Sequence, residues 1–328
     1  MAEIVPLRRQ VPGTPFGPLW ESFERSLEAE AAKPKTLVTY RAAAQKYVEF
    51  AGPRNLPLDP LRVERQHLEA FISDHLRTYS PATAANRFRA LHRFFGWLAD
   101  EGEVGVSPMA RMKAPRVPEK LPEVLEADAI RRLLHTCEGR TFDDRRDAAI
   151  LSLLLDTGLR RTELADLTLN AVDLRAHTVK VMGKGDKERL APFGAVSARD
   201  LDRYLRMRGS HRRSYLPFLW IGPRGKVTSS GIYQIIRRRV GMAGLDRKVW
   251  PHLFRHTFAD SWLSAGGEEG DLMRIAGWTT RSMLDRYGAA RAGARAREAH
   301  KRLSPRDRIE GNRGGAGDRS AENASWRV

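Results

Sequence analysis

The chain has 328 residues, 41% of them hydrophobic, and a formal net charge of +17. That length accommodates about two domains with real cores, and a positive excess this large calls for a polyanionic partner, nucleic acid first. Its one cysteine, Cys137, excludes an intramolecular disulfide and a cysteine-based zinc site, while no apolar run reaches the roughly 18 residues of a membrane span.

The N-terminal MAEIVPLRRQVPG has no apolar stretch of the kind a signal peptide carries, so the expected location is the cytoplasm. Residues 1–15 read as a short disordered lead. From Phe16 to Asp100 the pattern is helical. TLVTYRAAAQKYVEF spaces Leu37, Tyr40, Ala44, Tyr47 and Val48 at helical intervals. SPATAANRFRALHRFFGWLAD opens with Ser80 as an N-cap and Pro81 in the first turn, and its apolar stripe runs Ala84, Phe88, Leu91, Phe95, Leu98. Arg89 and Arg93 lie four apart on another face, either as a solvated surface or as phosphate contacts.

EGEVGVSPMARMKAPRVPEKLP (101–122) is proline-rich and aperiodic, which predicts an interdomain linker around residues 111–120. EADAIRRLLHTC and FDDRRDAAILSLLLDTGLRRTELADL are again helical. AHTVKVMGKGDKERLAPF alternates, turns at Gly183–Lys187 and resumes, which predicts a β-hairpin. From Ala198 to about Arg302 the pattern is helical apart from SYLPFLWIGPRGKVT. Residues 304–328 are rich in Gly, Arg, Asp and Asn without period and are expected to be a disordered basic tail. Residues 118–300 hold 33 basic and 23 acidic side chains, so most of the charge excess sits in folded sequence. That favours a shaped binding surface over a sticky tail.

Four stretches carry candidate chemistry. In TGLRRTEL, Gly158 breaks or bends the helix and Arg160 starts the next one, where backbone N–H groups attract anions, with Glu163 three residues on to brace a guanidinium. In GKGDKER, Lys184 sits at a hairpin tip between glycines. In WPHLFRHTFAD, Pro251 suits a first helical turn, His252 and Arg255 lie one turn apart, and His256 stands beside them. In GWTTRSMLDRYG, Trp278 and Tyr287 are nine positions apart. Each has an ordinary reading: surface arginine, solvated turn, structural histidine, and an aromatic pair stapling a terminal helix.

Taken in order, Arg160, Lys184, His252, Arg255, Trp278 and Tyr287 resemble the signature of the tyrosine recombinase family, the phage-integrase and Xer-type site-specific DNA recombinases. Arg160 and Glu163 match its T-G-L-R-x-x-E-L box. Lys184 matches its G-K-G-x-K-x-R hairpin, and His252 and Arg255 its H-x-x-R-H-T-F box. The third box usually reads L-G-H. Here it is Ala276-Gly277-Trp278, so tryptophan replaces histidine, a substitution some members share. The resemblance covers residues 16–303.

It implies a mostly α fold. Residues 16–110 would form a helical-bundle core-binding domain, and residues 121–303 a mixed α/β catalytic domain with a small antiparallel sheet, the two closing around duplex DNA as a clamp. It implies strand cleavage through a 3′-phosphotyrosyl intermediate with no cofactor, metal or ATP. Tyr287 would be the nucleophile and Lys184 the general acid. Arg160 and Arg255 would stabilise the phosphate, His252 would assist proton transfer, Trp278 would donate one hydrogen bond, and Glu163 and His256 would support them. The implied partners are double-stranded core sites and further copies of the chain in a tetrameric synaptic complex. About 15 residues precede the first domain, too few for a separate arm-type DNA-binding domain. ARAGARAREAHKRL (290–303) is expected to be a helix, either docking on a neighbouring protomer or simply frayed. Two alternatives remain open on the sequence: a helical DNA-binding protein without catalysis, and a type IB topoisomerase-like nicking-closing enzyme.

Overall fold

The structure, a computed structural model, describes residues 16–118, 122–183, 188–281, 283–284 and, further on, 297, 300 and 303–306. It divides into two units, residues 1–119 and 120–328.

Among the described residues the first unit holds four α-helices: α1 (Phe16–Ala29), α2 (Pro34–Ala51), α3 (Arg65–Thr78) and α4 (Pro81–Asp100). The start of α4 follows from its residues. The Ser80 hydroxyl accepts from the Thr83 N–H at 3.3 Å, and Pro81, which has no N–H to waste, takes the first turn. The stripe Ala84, Phe88, Leu91, Phe95, Leu98 is buried throughout. Phe94 sits at the centre of an aromatic core, with ring centroids 4.7 Å from Trp20, 5.3 Å from Phe23 and 5.5 Å from Phe16. Each such burial contributes about 1.5–3 kcal/mol. Arg89 and Arg93 are exposed and pair with Asn86 and Glu30.

The second unit runs α5 (Ala127–His135), α6 (Phe142–Thr157), α7 (Arg161–Asp166), β1 (Val172–Asp173), β2 (Thr178–Met182), β3 (Glu188–Pro192), α8 (Ala195–Gly209), β4 (Ile221–Gly222), β5 (Gly225–Lys226), α9 (Ser229–Met242), α10 (Pro251–Ser264) and α11 (Glu269–Ala276). Strands β1, β2 and β3 form an antiparallel sheet in that order, with Lys180 opposite Leu190 and Met182 opposite Glu188. The stretch SYLPFLWIGPRGKVT contributes the small β4–β5 ribbon. No helix among the described residues is long and apolar enough to cross a membrane.

Helix α6 is the axis of this unit and packs against α8, α9 and α10. A capping box starts it: the Asp144 N–H donates to the Thr141 hydroxyl at 3.1 Å, and the Thr141 N–H to the Asp144 carboxylate at 3.2 Å. Near its first turns lies Asp147, fully buried, accepting from Arg146 Nε at 3.0 Å and Arg239 Nε at 2.8 Å and paired also with Arg238. That network joins α6 to α9. At the far end Gly158 stops the helix in the left-handed region at φ 57°. A Cβ there would lie 2.4 Å from Phe258 Cδ1, so both conformation and space require glycine. Just before it, Asp156 of α6 receives the Gly194 N–H at 2.8 Å and the Ser197 hydroxyl at 2.6 Å, which caps the start of α8 from outside.

Candidate active site

Arg160 is the N-cap residue of α7. Its N–H donates to Glu163 Oε2 at 2.8 Å, and its Nη1 to Glu163 Oε1 at 2.7 Å. The Arg160 side chain is 35% exposed and that of Glu163 only 7%, so the carboxylate is a buried anchor for a guanidinium that reaches the surface. Arg189 of β3 completes the pair from the other side, with Nη1 to Oε1 at 3.2 Å and Nη2 to Oε2 at 2.8 Å. Burial pushes the Glu163 carboxyl up. The bond from Arg189, the Arg160 N–H, the Arg189 charge and the bond from the Arg160 guanidinium more than offset this and hold it down, from 4.5 to about 2.

The third box is built on a helix end. Helix α11 stops at Gly277, which is left-handed at φ 64°. The Gly277 N–H returns to the Arg274 carbonyl at 3.2 Å and the Trp278 N–H to the Met273 carbonyl at 2.9 Å, a Schellman arrangement. That leaves two of the last four carbonyls of the helix. Arg189 Nε donates to Ile275 O at 2.9 Å, and Arg255 Nη2 to Ala276 O at 2.6 Å. Arginine is suited to this, since the helix C-terminus carries partial negative charge.

Arg255 of α10 is 1% exposed. Its Nη1 donates to Gly158 O at 2.6 Å, so the guanidinium bridges the ends of α6 and α11. Its Cζ lies 5.2 Å from the Trp278 ring centroid, within cation–π range. Trp278 is 7% exposed and belongs to a small apolar cluster with Phe258, Leu263, Leu272 and Leu284. Trp278 therefore both packs in an apolar cluster and faces the Arg255 guanidinium. His252 stands one residue inside the α10 start and is exposed, while Arg255 points into the body. The His252 ring meets that of His256, half-buried, at 4.6 Å and 74°.

Thus Arg160, Glu163, Arg255 and Trp278 are gathered at one place by contacts through Arg189, Gly158 and Ala276, with His252 and His256 on α10 beside Arg255. Lys184 and Tyr287 lie outside the described residues, as does nearly all of the 290–303 segment. Lys184 belongs to the connection between β2 and β3, whose last described pair is Met182 with Glu188.

Arg189 was not singled out from the sequence, although the G-K-G-x-K-x-R match ends on it. The signal was the inverted alternation of β3. Arg189 shares its side of the strand with buried Ala191, while Leu190 on the other side is 62% exposed. A charge on the inward side of a strand needs a buried partner of opposite sign.

Chemically, two guanidinium groups, those of Arg160 and Arg189, share the Glu163 carboxylate, and a third, that of Arg255, is fixed by two backbone carbonyls, which leaves an excess of rigidly held positive charge. Fixed guanidinium groups of this kind are suited to an oxyanion and to charge developing on phosphate oxygens.

The chain matches the Phage integrase family model over residues 123–293 and the Phage integrase N-terminal SAM-like domain over residues 19–102. It is 31% identical to tyrosine recombinase XerC of Myxococcus xanthus over 281 residues, 84% of this chain and 93% of that one. It is 28% identical to tyrosine recombinase XerD of Listeria innocua over 277 residues, 83% and 93% of the two chains. Its fold is similar to that of XerH site-specific recombinase bound to palindromic difH substrate, with a TM-score of 0.67 and 18% identity over 88% of this chain and 85% of that one. A lambda integrase dimer bound to a COC' core site has a TM-score of 0.66 and 17% identity over 82% and 75%. With both family models matched in order, and with Arg160, Glu163, Arg255 and Trp278 of the three boxes brought together, the chain belongs to the phage integrase family of Xer-type tyrosine recombinases.

Proposed function

We propose that this chain is a site-specific recombinase that cuts and rejoins strands of duplex DNA at core sites, working with further copies of itself in a tetrameric synapse. Tyr287 attacks the scissile phosphodiester, forming a 3′-phosphotyrosyl bond and releasing a 5′-hydroxyl. The 5′-hydroxyl of a second strand then attacks that bond, which conserves its energy and restores the tyrosine. Lys184 protonates the leaving 5′ oxygen, and His252, supported by His256, moves the proton on the tyrosine side. Arg160 and Arg255 meet the charge on the non-bridging oxygens, and the Trp278 indole N–H donates one hydrogen bond there.

The observation that carries this reading is the fixing of Arg255 by two helix-end carbonyls beside Trp278, with Arg160 anchored through Glu163. A group so held spends no reorganisation when charge develops. Relatives named tyrosine recombinases, and fold neighbours that are recombinases bound to DNA, support the same partner and chemistry.

The test begins by recovering the preferred duplex from a random-sequence pool. A nicked suicide substrate and a two-site joining substrate are then built on it. The expected result is a covalent adduct in EDTA and joined products between the two sites. Relaxation of supercoils with no joining supports a nicking-closing enzyme, and binding with neither overturns catalysis.

A further inference from the structure

The hydrogen bonds around Arg189 and Arg255 close into a ring. From Arg160 and Glu163 at the start of α7 it passes to Arg189 on β3, and from Arg189 to Ile275 O at the end of α11. The next carbonyl, Ala276 O, belongs to Arg255, which returns to Gly158 O, two residues before Arg160. Four segments far apart in sequence are tied at the same place. Arg255 closes one side of this ring and Arg189 the other.

Resting on the strand-cleavage reading above, we infer that Arg189 is a positioning residue for that step. It sets Arg160 through Glu163, and it sets the start of the Trp278 segment through the α11 terminus. Its side chain is 12% exposed, and its reach is used fully: two donors on one carboxylate and a third on a carbonyl. Its guanidinium also lies against Gly277, where an added Cβ would be 3.1 Å from Cζ, so the left-handed turn before Trp278 is shaped around it. Arg189 is also on the strand that follows the Lys184 connection. One side chain therefore spans the hairpin, the first box and the third box. Lysine at this position keeps the charge but offers no planar fork, so it cannot hold both carboxylate oxygens and Ile275 O together.

The experiment compares Arg189→Met, Arg189→Lys and the double variant Arg189→Met/Glu163→Gln with the wild-type full chain. DNA affinity is measured first, then single-turnover cleavage of the suicide substrate at saturating enzyme, corrected for the folded fraction. The expected result is affinity within about threefold of wild type, with cleavage by the methionine variant slowed roughly 10–10²-fold, as for a misplaced group in a preorganised site. Lysine should recover part of this and remain below wild type. The double variant should be at least as slow as the methionine variant, because Glu163→Gln also weakens the direct anchor that Arg160 keeps when Arg189 is replaced. The loss should persist on a substrate with a 5′-bridging sulfur, since a better leaving group does not replace a displaced Arg160.

Wild-type cleavage rates in Arg189→Met overturn the inference. So does a defect confined to affinity, or one fully repaired by the sulfur substrate. Should the methionine variant not fold, Arg189→Lys decides, and its equality with wild type at saturation overturns the inference. A wild-type chain that forms no adduct overturns the recombinase reading, and this inference with it.

Discussion

Arg189 and Arg255 donate to consecutive carbonyls, Ile275 O at 2.9 Å and Ala276 O at 2.6 Å, at the end of one eight-residue helix. With the Schellman bonds to Met273 and Arg274, all four terminal carbonyls of α11 are satisfied, two of them by arginines from other elements. The arginine cluster and the helix that leads into the Trp278 segment are therefore one hydrogen-bonded object. A change to either is felt by both.

Tyr287→Phe retains DNA binding and forms no covalent adduct on the suicide substrate, with or without EDTA. Denaturing electrophoresis of the labelled DNA reads the result. An adduct that survives this substitution shows that another tyrosine is the nucleophile.

Lys184→Ala loses roughly 10²–10⁴-fold in cleavage, the range for a missing general acid. A 5′-bridging sulfur makes the leaving group good without a proton and restores most of the rate. Absence of that rescue moves Lys184 to a positioning role.

Trp278 combines a packed ring with an indole donor, so three variants separate the two. Trp278→His keeps a donor and falls modestly. Trp278→Phe keeps most of the bulk and costs on the order of 1–3 kcal/mol in cleavage when a charged oxygen goes unpaired. Trp278→Ala loses both, opens the cluster that holds Leu284, and is the slowest. Single-turnover cleavage, with binding measured separately, ranks them. Phe equal to wild type with Ala inactive strikes the hydrogen bond from the mechanism.

Glu163 makes stability pH-dependent with a definite sign. Its carboxyl is held at about 2 in the folded chain against an ordinary 4.5. The stabilisation is therefore fully present above about pH 4.5 and is lost as pH falls from there toward 2. It amounts to something on the order of 3 kcal/mol. Urea melts of wild type and Glu163→Gln at stepped pH should differ most near neutrality and converge at the acid end. A gap that stays constant down to pH 2 contradicts this account.

Gly158→Ala forces a side chain into the left-handed region and into the Phe258 ring. The conformational part costs about 1–2 kcal/mol and the overpacking about 1–3 kcal/mol more. Because Gly158 O also receives Arg255, cleavage should fall further than the folded fraction. Thermal melting and single-turnover cleavage, measured on the same preparation, test both parts. An unchanged Tm refutes the packing claim.

What the sequence by itself determined here is whatever depends on neighbours along the chain. Ser80 and Pro81 start α4, Thr141 and Asp144 start α6, and Gly158 and Gly277 end helices in the left-handed region, because capping groups act within four residues of the end they serve. The order and spacing of the boxes are likewise linear, which is why family membership was legible before any coordinate. The tertiary structure decided the rest. It sent Arg255 inward to bond with carbonyls 97 and 21 positions away, left His252 exposed one turn earlier, and brought Arg189 to Glu163 26 positions upstream and to Ile275 86 positions downstream. Such partners are chosen by which helix ends and strands meet in space. A backbone carbonyl, moreover, has no letter in the sequence to mark it as the acceptor.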